Sequence, residues 1–150
     1  MAEDAPLLRE SGRGLSIHYK NRNLYNPADP TGGALRRIPN TLTANTLYIL
    51  FSPLLGYGIR QTQNILPVSS ELICIESDPK LYSLFCEHYK EESSPNCIFT
   101  ESPEPLITHI KSGGLWRFRR VEPVVLNGGY SLNKQFYDGI LTALNKMDWE

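Results

Sequence analysis

Cysteine is scarce in this chain, with three in 150 residues, at positions 74, 86 and 97. That is too few and too scattered for a disulfide framework, and no CxxC or zinc-type spacing occurs. Cys74 in an apolar strand and Cys86 on a helix read as buried free thiols. Charge of one sign is also missing. Fifteen basic against sixteen acidic residues leave a net charge of -1. A protein that holds nucleic acid or a membrane surface non-specifically usually carries a large basic excess. No apolar run approaches the roughly 18 residues of a membrane-spanning helix. The first residues, MAEDAPLLRESGRG, have neither the basic start nor the apolar stretch of a secretory leader. These absences point to a cytoplasmic protein without membrane or nucleic-acid partners.

What is present is enough chain for one domain with a real core. Residues 1–13 read as a flexible lead-in, and 14–150 as a single α/β domain. GLSIHYK (14–20) reads as a strand. The Asn-, Pro- and Gly-rich stretch after it reads as loop, with one helical turn around Ala34–Ile38. TLYILFS (46–52) is a nearly continuous apolar run rich in β-formers, the habit of a strand buried on both faces of a parallel sheet. A helix is expected from Gly56 to Leu66, stopped by Pro67. ELICIES (71–77) is a second buried strand. Asp78 then caps a helix with Pro79 at its first position, and Leu81, Leu84, Phe85 and Tyr89 line one side. CIFT (97–100) is a short third strand. A third helix is expected after Ser102, ended by Gly113 and Gly114. RFRRVEPVV is extended, and Ser131–Met147 forms the clearest amphipathic helix, with Leu132, Phe136, Ile140 and Leu144 four apart. Alternating strands and helices predict a Rossmann-like three-layer α/β domain with a mostly parallel sheet.

The candidate site is SPLLGYG (52–58) together with Glu76. A nucleotide site of this kind needs glycines for close approach of backbone amides, a helix N-terminus, and an acid at the end of the second strand. Glu76 lies 20 residues after Gly56, near the expected spacing. The glycines are fewer than required. Leu54 stands where the first should be, and its Cβ resists positive φ. Pro53 removes an amide donor. Ser52 stands where an S-adenosylmethionine methyltransferase usually has its first acid. Ser52, Gly56, Tyr57, Gly58 and Glu76 are therefore candidates either for ligand binding or for shaping the turn. In the second case Glu76 is solvated or caps backbone. No catalytic residue is identified. His18, His88 and His109 sit in separate elements, and no metal set is expected. WRFRR (116–120) could stack bases, but its alternation of aromatic and cationic residues fits a charged edge strand better.

Three stretches carry a family likeness: IHYKNRNLYNPADP; ILFSPLLGYGI with ICIESDPKLYSLF; and RFRRVEPVVLNGGYSLNKQFYDGILTAL. Together they resemble the N-terminal domain of the motility accessory factor (Maf) family, the bacterial flagellin glycosyltransferases, over roughly residues 15–147. Gly56, Tyr57 and Glu76 match the family's turn and strand end. Ser52 and Leu54 replace the first two glycines of its Gly-x-Gly-x-Gly-Tyr, and ADPTGGALRR replaces a segment that is usually helical and acidic. The resemblance implies a Rossmann-like domain that accompanies a catalytic domain. That domain transfers a nonulosonic acid from a CMP-sugar donor to flagellin and would begin at about Glu150, so the chain is either a piece of a longer protein or a stand-alone or decayed N-terminal piece. The chain itself is then expected to be a non-catalytic accessory or docking module without a cofactor. A glycosyltransferase catalytic domain or flagellin would be its partner, and exposed apolar surface could drive self-association. The alternative is a small nucleotide- or S-adenosylmethionine-binding enzyme.

Overall fold

A hairpin opens the fold. The computed structural model describes residues 5–89, 97–100, 104, 108 and 118–145. Within the segment expected as a lead-in, Leu7–Glu10 forms a strand (β1). It pairs antiparallel with Leu15–Tyr19 (β2), which turns back into the two-residue Arg22–Asn23 (β3). The turn between β2 and β3 is made by Lys20 and Asn21, at φ +51° and +62°. Two successive left-handed residues are what a tight hairpin matched to strand twist demands, and asparagine tolerates that region. The lead-in expectation missed β1 because its four residues are all exposed and show no buried face.

The helical turn expected at 34–38 lies slightly earlier, at Pro30–Leu35 (α1). Asp29 starts it by accepting from the Gly32 amide, and Pro30 occupies the first turn.

The second sheet holds the core. Its strands are Thr46–Phe51 (β4), Glu71–Glu76 (β5), Cys97–Phe99 (β6) and Arg120–Val124 (β7). Their order is β6-β5-β4-β7, and every neighbouring pair is parallel. All six residues of β4 are buried, as its unbroken apolar run requires of a strand covered on both faces. Tyr48, Leu50, Leu72, Cys74 and Val124 share one core with Ile59, Leu81 and Phe85 from the following helices and with Ile17 and Leu24 from the hairpin region. Leu47, Ile49, Phe51, Ile75 and Val121 share the opposite core with Tyr137, Ile140 and Leu144. The domain is thus mixed α/β, a parallel sheet between helical layers.

The helix expected over 56–66 contracts to Ile59–Asn64 (α2). Gly56 and Gly58 take φ +88° and +92°, outside helical space, so the chain cannot enter the helix before Ile59. Asp78 does cap Pro79–His88 (α3), accepting from the Lys80 and Leu81 amides. The last amphipathic run is two helices, Gly129–Leu132 (α4) and Lys134–Asn145 (α5), separated at Asn133. Asn133 leaves helical space (φ -142°, ψ 45°), and its side-chain amide donates to the Ser77 hydroxyl (2.9 Å). Of the helix expected after Ser102, only Glu104 and Thr108 are described, both helical, and Ser102, Gly113 and Gly114 lie outside the described residues. Trp116 and Arg117 also lie outside them. Phe118 is buried and Arg119 exposed, in keeping with the alternation. Strand β7 is at the sheet edge, where Pro123 is tolerated.

Candidate functional site

The chain order of the parallel strands reverses between β4 and β7. In open parallel sheets the crevice at such a reversal, past the carboxyl ends of the strands, is where ligands bind. The 52–58 turn leaves β4 at this point.

Leu54 was expected to resist positive φ, but it takes φ +56°, and Ser52 takes +61°. Left-handed backbone costs a non-glycine residue about 1–2 kcal/mol. The leucine side chain recovers this by burial, worth about 1.5–3 kcal/mol. It is wholly inaccessible, in the core cluster of Leu50, Ile59 and Leu81. A buried core leucine thus holds a left-handed conformation that was expected to favour glycine.

Aromatic side chains cover the rest of the turn. The Tyr25 hydroxyl accepts from the Leu55 amide (3.0 Å) and donates to the Pro53 carbonyl (3.4 Å). Burial raises its pKa far above that of an ordinary phenol, so it stays protonated. The Tyr57 hydroxyl accepts from the Leu15 amide (2.8 Å) and donates to the Leu15 carbonyl (3.0 Å), which ties the turn to the start of β2. The Tyr25 and Tyr57 rings stand 4.8 Å apart. Tyr89 lies against Gly56 so closely that a Cβ there would sit 2.4 Å from its ring. Outside the turn is a cavity of about 280 Å³, lined among others by Thr31, Gly56, Arg60, Gln61 and Tyr89. Ser52 and Glu76 do not line it.

Glu76 is 1 % exposed, so it is not solvated. Its Oε1 accepts from the Ser52 hydroxyl (2.7 Å). Its Oε2 accepts from the Ser77 amide (2.9 Å), the Asp78 amide (3.0 Å) and the Tyr137 hydroxyl (3.2 Å). Capping of backbone is therefore one part of its work. Burial holds its pKa above the usual carboxylate range, and the four donors oppose that rise. Burial, and then the neighbouring Glu76 charge, raises the Tyr137 phenol as well. Tyr137 also meets the Ser77 hydroxyl at 2.9 Å.

Of the five candidates, Ser52 and Glu76 thus meet inside the protein, while Tyr57 bonds to β2, Gly56 lies against Tyr89 and Gly58 against Leu126 and Ile38. Sequence reasoning missed Tyr25, Tyr137 and Asn127. Asn127 donates to the Ser52 carbonyl (3.0 Å) and accepts from the Gly129 amide (2.7 Å). A Cβ at Gly129 would lie 2.3 Å from the Ser52 hydroxyl. The Asn-Gly-Gly at 127–129 was the visible signal, since paired glycines mark a close approach, but nothing in it names the partner.

No group of three metal-ligating side chains occurs among the described residues. His18 Nδ1 pairs with the Asn23 side-chain oxygen Oδ1 (3.1 Å), His88 is exposed, and His109 lies outside the described residues. Cys74 is buried and its thiol pKa is raised by burial. Cys86, expected to be buried, is exposed, because it falls on the outer side of α3 while Leu81 and Phe85 face the core.

No family model matches the chain. It is 24 % identical over 140 residues to an uncharacterized protein of Treponema pallidum (strain Nichols). The match covers 89 % of this chain and 24 % of that protein, so the chain spans about a quarter of the relative's length. No solved structure matches it.

Proposed function

We propose that this is a Rossmann-like, non-catalytic accessory or docking module, of the kind its resemblance to the Maf N-terminal domain implies. The observation that carries this reading is the filled turn. Leu54 occupies the core, Tyr25 takes the Leu55 amide, and Glu76 spends both oxygens on internal donors. A carboxylate so engaged cannot receive ribose hydroxyls without breaking bonds that hold β5 to α3 and α5. The match to one quarter of a longer relative supports a role as part of a larger assembly. The partner in this reading is a glycosyltransferase catalytic domain or flagellin, and any CMP-sugar chemistry belongs to that catalytic domain. A cytoplasmic setting goes with it, supported by the sparse cysteines. No helix among the described residues is long and apolar enough to cross a membrane.

Calorimetric titration with CMP, a CMP-sugar and S-adenosylmethionine tests the reading. The expected outcome is no heat that depends on Glu76. Heat from any of them that Glu76→Gln abolishes, with the fold intact by circular dichroism, overturns it in favour of a nucleotide- or S-adenosylmethionine-binding enzyme.

A further inference from the structure

The crevice at the strand reversal is not wholly filled. Beside the closed turn, past the end of β7, lies a cavity of about 460 Å³. That is within the roughly 300–1,000 Å³ of small-molecule sites. Three pieces of chain enclose it: residues 23–27 at the end of the hairpin, Gly33 and Ala34 of α1 with Arg36 and Arg37 just after it, and Leu126–Gly128 leading out of β7. Its apolar floor includes Leu24, Ala34 and Leu126, all buried.

The charge on its wall is of one sign. Arg36 and Arg37 line it, and no carboxylate does. Asp29 holds the Arg36 guanidinium at 3.2 Å from one side. A single carboxylate oxygen engages one nitrogen there and leaves other donors of the fork. No ion pair to Arg37 occurs among the described residues. Asn23 and Asn26 bring side-chain amides to the same space, while the buried Asn127 amide behind them is held by Ser52 and Gly129. Two arginines on a wall that no carboxylate lines match a phosphate group, and side-chain amides around the same space match hydroxyls.

The geometry points to a binding site for a small phosphomonoester carrying hydroxyl groups, with the phosphate on Arg36 and Arg37. The site is separate from the 52–58 turn and does not use Glu76. It therefore stands or falls independently of the docking role.

Titration of the intact chain with inorganic phosphate, glucose 6-phosphate and neutral glucose, followed by amide NMR, tests it. Both phosphates are expected to move the Gly33 and Gly128 amides, glucose 6-phosphate at lower concentration, and glucose is expected to move neither. Arg36→Ala and Arg37→Ala, at exposed positions that carry no core packing, each weaken the phosphates by about tenfold or more. Added salt weakens them too. Arg60→Ala, beside the smaller outer cavity, leaves them unchanged. No titration by either phosphate overturns the proposal. So does titration that the two arginine variants leave intact, or that Arg60→Ala abolishes.

Discussion

Replacing Glu76 by glutamine should flatten part of the protein's pH dependence of stability. In the native state burial lifts the carboxyl pKa above the unfolded value of about 4.5. Between the unfolded and the folded pKa, the native state then binds more protons than the unfolded chain. Stability from this group is complete below the unfolded pKa and is lost as pH rises through the folded one. One proton can contribute at most about 1.4 kcal/mol per pH unit within that window. Glutamine keeps an oxygen for the Ser77 and Asp78 amides and Tyr137, and its amide can donate to the Ser52 hydroxyl. It cannot ionise. Urea unfolding of wild type and Glu76→Gln, from about pH 4 to pH 8, gives the difference between them as a function of pH. The wild type should lose ground relative to the variant as pH rises, and the difference should level off once Glu76 is ionised in both states. The opposite slope would mean that the four donors outweigh burial and depress the native pKa. That result would refute the ordering of effects argued for this carboxylate.

Three further substitutions or labels bear on the same region. Leu54→Gly should relieve the left-handed strain but empty a fully buried site, for a net loss of about 1–3 kcal/mol in urea unfolding; a stabilised variant would show that strain outweighs burial there. Gly56→Ala places a methyl against the Tyr89 ring at a positive φ, and should cost about 1–3 kcal/mol; no change would show that Tyr89 swings away freely. With a thiol reagent and peptide mapping, Cys86 should label quickly in the native protein and Cys74 only on unfolding; equal rates would contradict the burial of β5.

Much of the sheet was legible because its signals are local. The apolar run of β4, the Asp78-Pro79 start of α3 and the periodicity of the last helix each announce themselves within a few residues. Strand β1 did not, since Leu7–Glu10 buries no residue and owes its existence to pairing with β2. The split at Asn133, whose side chain bonds to Ser77, 56 positions away, leaves no trace in the apolar periodicity. The site was half legible for the same reason. The Gly56–Gly58 turn and Glu76 can be found by spacing. That Ser52 and Glu76 would share a proton-donor bond needs β4 and β5 side by side, and that Tyr137 would join them needs α5 docked on the sheet.

The outcome at Leu54 carries the widest consequence for reading such turns. A leucine in place of glycine was expected to resist the left-handed conformation, yet Ser52, Leu54, Gly56 and Gly58 all adopt positive φ. Conformation and ligand access are separate demands on the same residue. The conformational demand is worth about 1–2 kcal/mol, which a buried leucine can offset. The access demand is separate, and here Tyr25 takes the Leu55 amide and the Tyr89 ring lies against Gly56. A turn can therefore follow a left-handed path usually given to glycine without leaving its backbone open to a phosphate. Glu76 follows the same logic. Its position at the end of the second strand is kept, but Ser52, Ser77, Asp78 and Tyr137 claim its lone pairs from within. Strand end and spacing establish where such an acid stands. Only its neighbours decide whether it faces a ligand or the core.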